Sequence, residues 1–438
     1  MSVIYDMELA LQSLTAIIIR ELGQDVSRGR FIRDIFGRLS FAPNITLDEG
    51  LRAKVTASIP VNLVPYISQN GLLLNQSSLI ESILQENGIT RTDSRTNIEF
   101  TLLDRRLAGE DWMQRPSEIA DGPPRYAFYG LKGGVGRSTA LAIAAVDLAR
   151  NGLNILVVDL DLEAPGLGSI LLNGAQQPEY GVLDWLAAGS VGLDTSEMLP
   201  DLIGGSSFTL SSGIIDVIPA SAASTIRAPE GFLSKLARAY TPGASAGRLS
   251  GLSFTEKIDL LLQDLNTIRK YDAVLLDVRA GLHETSAAAL LGLGATTFLF
   301  GSNSSQTTTG YTVLLSSIRQ AMISWPNAPE LRDRFQMIQG RAGASIADRE
   351  QFRILCWQLW LDNLYDSIDD EVDAKAFSFD LNDVAGPHYP WVIPNSESYL
   401  AFDPLKDESF FASSNYLPIF DGFLSNLRTK IQRGKIES

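Results

Sequence analysis

The sequence predicts an α/β protein with a doubly wound, mostly parallel sheet, preceded by a small N-terminal α+β domain. Three observations predict it. From Arg125 onward, short apolar runs alternate with helical segments, the rhythm of strands and crossovers in one parallel sheet. The run Asn154 to Leu160 is apolar almost throughout, as in a strand buried on both faces. Residues 1–118 lack this rhythm, and Leu107 to Pro124, with Pro116, Gly122, Pro123 and Pro124, reads as a linker. The expected domains are therefore 1–118, with no assignable role, and 119–438, the sheet domain with insertions.

In the first part, Met7 to Leu22 and Ser77 to Glu86 predict helices, while Leu51 to Ile59 alternates like a strand and Asn97 to Leu103 looks extended. Arg28, Arg30, Arg33 and Arg38 form a basic stretch. Interleaved with Glu21 and Asp34, they are expected on a solvated helix rather than as a nucleic-acid face. In the second part, strands are expected at Tyr126 to Tyr129, Asn154 to Leu160, Ile214 to Pro219, Ala273 to Asp277, Thr297 to Gly301, Phe335 to Gln339 and Trp391 to Pro394. Helices are expected at Phe254 to Lys270, Glu284 to Leu293 and Gly310 to Ser324. Gly189 to Thr209 and Ala220 to Leu252, rich in Gly, Ser and Ala, read as insertions of loops and short helices. Asp362, Asp366, Asp369, Asp370, Glu371 and Asp373 form an acidic run without the glycine and terminal glutamate of a calcium loop, so a solvated loop is expected. The last helix, Tyr416 to Ile431, carries Leu417, Phe420, Phe423, Leu424, Leu427 and Ile431 on one face and is expected to pack on the sheet.

Composition narrows the chemistry. The 438 residues are 45% hydrophobic and 20% charged, enough for large cores and more than one domain. A single cysteine, Cys356, excludes an internal disulfide and a cysteine-cluster metal site, and its neighbours Trp357 and Trp360 make it a core residue. Two histidines, His283 and His388, leave little room for histidine-rich chemistry. The net charge of −15 gives no support to a nucleic-acid partner and argues against an anionic membrane surface. No run reaches the ~18 apolar residues of a membrane span, and the N-terminus lacks the pattern of a signal peptide, so a cytoplasmic protein is expected.

Three motifs carry chemistry. The first is Gly130-Leu-Lys-Gly-Gly-Val-Gly-Arg-Ser-Thr139, between an apolar run and the apolar segment Ala140 to Leu148. A glycine-rich loop between strand and helix lets successive N–H groups of Gly133, Gly134, Val135, Gly136, Arg137, Ser138 and Thr139 converge on an anion at a helix N-terminus. Ser138 stands where a hydroxyl ligates Mg²⁺. The second is Val157-Val-Asp-Leu-Asp-Leu-Glu-Ala-Pro-Gly166, which puts Asp159 and Asp161 at the exit of a strand. They serve either as site carboxylates or as turn formers before Pro165-Gly166; Glu163 reads as a cap or a solvated residue. The third, Tyr271-Asp-Ala-Val-Leu-Leu-Asp-Val-Arg-Ala-Gly281, ends an apolar strand in Asp277, the pattern of a carboxylate that holds the Mg²⁺ hydration shell.

Together these motifs resemble the deviant Walker A P-loop ATPases of the ParA/MinD family, whose loop reads KGGxGK[ST], over about residues 125–430. The late segment Pro390 to Ala401 resembles the VIP-type segment of MinD-like proteins, and residues 1–118 match no such pattern. The resemblance implies ATP and Mg²⁺ as ligands and slow ATP hydrolysis. Within it, Lys132 reaches the nucleotide of a second subunit in an ATP-dependent homodimer, Asp161 orients the attacking water, and Ser138, Asp159 and Asp277 serve Mg²⁺. Adenine is expected as the base, with Arg341 as a candidate contact. Two departures stand out. Arg137 occupies the usual lysine position and bears on the rate, and Arg279 replaces the proline of the family's DxPAG segment. Arg279 either stabilises charge at the γ-phosphate or pairs with the nearby acidic loop. His283 behind it reads as a hydrogen-bonded structural residue. The resemblance makes an ATP-driven switch for a partner protein, engaged through the N-terminal domain, the leading expectation. A non-hydrolysing nucleotide sensor and a DNA-partitioning ATPase are the alternatives.

Overall fold

The computed structural model describes residues 6–437 apart from 76, 87, 94, 106–108, 110, 209–212, 242–246 and 368–375. The chain divides into two compact units, one of residues 1–113 with 322–327 and one of 114–321 with 328–438.

The first unit is built on a four-stranded sheet of β1 (Arg30–Arg33), β2 (Leu39–Ala42), β3 (Ile89–Thr92) and β4 (Glu99–Asp104), in the order β2-β1-β4-β3. β1 is parallel to β4; the other two pairings are antiparallel. The predicted helix Met7–Leu22 is present, started by Asp6, whose carboxylate accepts the N–H groups of Glu8 and Leu9. Its Leu11, Leu14 and Ile18 share a core with Phe31, Phe41 and Phe100 of the sheet.

Two expectations fail here. The stretch expected as a strand at Leu51 to Ile59 is the helix Glu49–Ala57. Asp48 caps it through the N–H of Leu51 at 2.7 Å, and only Val55 is fully buried. A good N-cap outweighed a chance alternation of side chains. The basic stretch is not on a solvated helix either. Arg28 ends a 3-10 turn, Arg30 and Arg33 lie on β1, and Asp34 closes the following turn by accepting the N–H groups of Phe36 and Arg38. Arg33 is buried, with Nη2 donating to Glu8 at 2.8 Å and Nη1 lying 3.6 Å from Asp104.

The second unit is an eight-stranded sheet. Its strands are β5 (Arg125–Gly130), β6 (Asn154–Leu160), β7 (Gly204–Gly205), β8 (Ile214–Ile218), β9 (Ala273–Val278), β10 (Thr296–Gly301), β11 (Phe335–Ala342) and β12 (Trp391–Pro394). The order is β12-β11-β10-β5-β9-β6-β8-β7, and every pairing is parallel except that of the two-residue β7 with β8. This is a mostly parallel α/β fold. β5, β6 and β9 are buried along nearly their whole lengths, as continuous apolar strands covered on both faces must be.

The helix Arg137–Arg150 is buried on almost every side, which its run of Ala and Leu permits. One wall of its surroundings is the last helix, Ser413–Glu437, packed as expected. Phe423 of that helix meets Phe128 of β5 and Phe298 of β10 with ring centroids 6.1 and 5.8 Å apart. Asp147 ties the two helices together, accepting from the Tyr416 hydroxyl at 3.1 Å with Arg428 at 3.8 Å.

Cys356 is buried in the helix Ile346–Asn363. Of the acidic run, Asp362 lies near the end of that helix and Asp366 is paired with Arg332 at 2.6 Å, while Asp369, Asp370, Glu371 and Asp373 lie outside the described residues. Among the described residues no helix is long and apolar enough to cross a membrane.

Candidate nucleotide site

The parallel order brings the three motifs to one edge. β5 pairs directly with β9, setting Phe128 opposite Asp277, and β9 pairs with β6, setting Asp277 opposite Asp159. The glycine loop leaves β5, so it emerges beside both carboxylates, at the carboxyl ends of the strands where ligands of open α/β sheets bind.

Within the loop, Gly134 and Gly136 have φ of +77° and +89°, a conformation other residues rarely adopt. Gly136 caps the helix Arg137–Arg150 in this left-handed state, the kind of glycine turn in which successive N–H groups can line an anion site. The loop is also shaped from behind: a Cβ at Gly340 on β11 would stand 2.2 Å from the carbonyl oxygen of Val135. Gly133 and Gly134 face open space. Lys132 is exposed and makes no ion pair among the described residues.

Ser138 and Asp277 form the centre of the site, with Ser138 Oγ donating to Asp277 Oδ2 at 2.6 Å. The other oxygen, Asp277 Oδ1, is buried with no hydrogen-bond partner. Asp161 Oδ1 is in the same position. Both oxygens of Asp159 are engaged: Oδ1 accepts the N–H of Asp161 at 3.1 Å, and Oδ2 those of Gly166 and Leu167 at 3.0 and 3.1 Å. Asp159 therefore closes the turn 161–167, the turn-forming role that the sequence left open.

Burial and mutual repulsion make this an electrostatically loaded corner. Burial, reinforced by the negative charge of Asp277, pushes the Asp159 carboxyl up to about 8. Burial raises Asp277 to about 6 against the opposing pull of Arg137 and the Ser138 hydrogen bond. Asp161 is also raised by burial, again opposed chiefly by Arg137.

Arg137 is a cation buried among them. Its Nη1 donates to the carbonyl of Val278, and Nη2 lies 3.8 Å from Asp161 Oδ2. Arg137 is thus turned to the end of β9 and the Asp161 loop.

Arg279 is turned to Glu163, with which it makes a close ion pair, so of the two alternatives the structure shows the salt bridge to the acidic loop. Glu163 is not solvated. Its Oε1 also accepts from the Tyr240 hydroxyl at 2.9 Å and lies 3.3 Å from His283 Nε2. The sequence held no signal for Tyr240, which arrives from an insertion; the spacing of Glu163 two residues after Asp161 was the only clue to its placement. The segment after β9 is pinned to β5, since Gly281 donates its N–H to Gly130 O at 3.1 Å and accepts from Tyr129 Oη at 3.1 Å.

Val135, Gly136 and Thr139 also border a groove completed by Arg341, Pro394, Asn395 and Tyr399. Arg341 has φ of +50°, which aims it there at the cost of an uncommon backbone state.

The donor set suits Mg²⁺ held jointly with a phosphate. Two buried carboxylate oxygens lack partners beside a serine hydroxyl, and a hard cation with oxygen ligands relieves that charge. Among the described residues no three His, Cys, Asp or Glu side chains group to hold a metal by themselves. A Ser–Asp pair under a glycine loop needs no such group, because Mg²⁺ commonly takes one or two protein oxygens plus substrate phosphates and water.

No protein-family model matches the chain, and no curated protein matches it. Solved structures similar to it include a plasmid partition protein from Borrelia burgdorferi, at 16% identity and a TM-score of 0.40 over 71% of this chain and 100% of that one. A ParA family ATPase from Chlorobium tepidum aligns at 16% identity and a TM-score of 0.39, over 66% of this chain and 91% of that one. The cell division ATPase MinD of Pyrococcus furiosus aligns at 20% identity and a TM-score of 0.34, over 51% and 75%. Likeness at this level carries no argument about activity, which rests on the geometry of the site.

Proposed function

We propose that the chain is a P-loop ATPase of the ParA/MinD type that binds ATP with Mg²⁺ and hydrolyses it slowly. The observation that carries this is the 2.6 Å contact of Ser138 with Asp277 beneath a glycine loop, beside the unpartnered oxygens of Asp277 and Asp161. The N–H groups of residues 133–139 would hold the β-phosphate, with Thr139 at the α-phosphate. Ser138 and Asp277 would hold Mg²⁺, Asp277 through water, with Asp159 supporting them from behind by fixing the turn. Mg²⁺, when bound, neutralises charge on the phosphoryl oxygens. Asp161 would orient the water whose oxygen forms the new bond to the γ-phosphorus as the bond to the β–γ bridging oxygen breaks. The base would enter the groove beside Arg341.

Lys132, exposed and unpaired, is the residue suited to reach a second subunit, and the reading extends to an ATP-dependent homodimer that acts as a switch for a partner protein, with residues 1–118 as its contact. The net charge of −15 weighs against a DNA-partitioning role.

The experiment is phosphate release at saturating ATP–Mg²⁺, run beside direct nucleotide titration. Turnover in the wild type that disappears in Asp161→Ala, with binding retained, supports an ATPase. Binding without turnover in either protein would instead favour the nucleotide-sensor reading, which the engagement of Arg137 with Val278 and Asp161 makes the specific alternative.

A further inference from the structure

Glu163 gathers partners from two separate segments onto one atom. Arg279 and His283 come from the segment after β9, Tyr240 caps the C-terminal end of the inserted helix Phe232–Ala239, and Glu163 itself lies two residues beyond Asp161. All three contacts are to Oε1, while Oε2 and the Nδ1 of His283 are buried with no hydrogen-bond partner. Rings stack around the cluster: Tyr240 meets His283 edge-on at 4.8 Å and leans on Phe254 at 5.4 Å. The inserted helix is in turn fastened by Lys235, whose Nζ donates to Asp184 in the helix Val182–Ser190. Structural clasps of this kind are common. This one differs in joining both loops that flank the carboxylates of the nucleotide site to a helix outside it.

We propose that Glu163 is a positioning residue that makes the Asp161 loop, the 279–283 segment and the inserted helix Phe232–Ala239 change state together. The proposal rests on the nucleotide reading above. A carboxylate held by three partners cannot move with its loop unless those partners follow or let go, and letting go leaves a largely covered carboxylate without them. Displacement of the Asp161 loop or of Arg279 by a bound phosphate therefore reaches Tyr240 directly. The inserted helix becomes the element that exposes the state of the site to whatever binds there.

The two histidines make the test direct, because only His283 and His388 give imidazole signals. His388 is buried against Tyr365 and serves as the reference. In the full-length protein, adding the Mg²⁺ complex of a non-hydrolysable ATP analogue is expected to shift the His283 signals and leave those of His388 in place. It is also expected to change amide exchange over residues 232–240. Tyr240→Phe, which removes one hydroxyl, should abolish the exchange response while nucleotide affinity stays within about twofold. Glu163→Gln and Arg279→Ala should each lower kcat by roughly tenfold with little change in KM, and the double variant should be no worse than either single one, as for groups acting as a unit. Glu163→Gln should also move the His283 titration downward, because the carboxylate is the main group opposing the effect of burial on that imidazole; Arg279, Asp161 and Glu284 are the other charges near it.

Nucleotide binding that leaves His283 and residues 232–240 unmoved would overturn the proposal, as would additive losses in the double variant. Absence of nucleotide binding in the direct titration would overturn it together with the proposed function, and that failure is read in a different measurement.

Discussion

The two sheets treat buried charge in opposite ways. In the four-stranded sheet, Arg33 on β1 lies between Glu8 and Asp104, and Glu8 also takes Arg91, so each charge has an opposite neighbour. At the carboxyl edge of the eight-stranded sheet, Asp161 and Asp277 share the buried guanidinium of Arg137, and each keeps an oxygen without a hydrogen-bond partner. The first arrangement is complete in itself. The second carries excess negative charge in a place water reaches poorly, which is a demand for a cation. Buried polar groups that are satisfied speak of architecture, and those left over speak of a ligand.

Breaking the balanced pair should have the largest effect. Arg33→Ala removes the buried cation that lies 2.8 Å from Glu8 and 3.6 Å from Asp104 and is expected to cost about 3 kcal/mol, read by denaturant unfolding with amide exchange localised to β1 and β4. A loss under 1 kcal/mol would show that the pair is not the structural element described. Next comes Ser138→Ala, which removes a proposed Mg²⁺ ligand. Nucleotide affinity in the presence of Mg²⁺ should fall at least roughly tenfold, about 1.4 kcal/mol, with little change when EDTA is present; equal losses under both conditions would sink the assignment.

A third test uses pH. Asp159 and Asp277 hold protons more tightly folded than unfolded, from the ordinary carboxyl value of 3.8 up to about 8 and about 6. The folded protein therefore binds more protons across that window, and these groups make it more stable as pH falls from about 8 toward 4. Asp277→Asn should flatten the profile and change stability at pH 7 by on the order of 1 kcal/mol in the favourable direction, while weakening the Mg²⁺ dependence of binding. A variant that unfolds more easily at pH 7 would contradict the picture of surplus charge. The smallest effect belongs to Lys132→Ala. Stability should stay within about 0.5 kcal/mol, as for an exposed residue, yet ATP-dependent dimerisation measured by sedimentation should be lost.

Much of the large sheet was legible because its central strands are buried on both faces, so Asn154–Leu160 stands out as a continuous run with the bounds it has in the structure. The helix Met7–Leu22 was equally plain from its amphipathic period and ends as predicted. The segment 51–59 was misread because one buried residue, Val55, is too little to imprint a period, and its true signal was the cap at Asp48. Arg30 and Arg33 misled for a different reason: arginines on a short strand look like a charged helix face when the partners of the buried Arg33, Glu8 and Asp104, are far away in sequence.

At the site, the glycine loop, Ser138 and the three aspartates were visible as motifs, since each sits at a strand end with local sequence support. What each carboxylate does was not visible. Asp159 looks the same as Asp161 in sequence, and only the three N–H groups it accepts separate a turn-closing residue from one with a free oxygen. The clasp on Glu163 depends on Tyr240, which reaches it from the other side of an insertion.

Arg137 carries a consequence for time rather than for strength. Its guanidinium is already held by the carbonyl of Val278 and faces Asp161. A guanidinium held this way has to turn as a planar fork before it can face a phosphate in two-point contact, where an ammonium would simply swing. Uptake of a phosphate would then begin with a rearrangement internal to the protein, so that at high ligand concentration the pace is set by the protein and no longer by encounter.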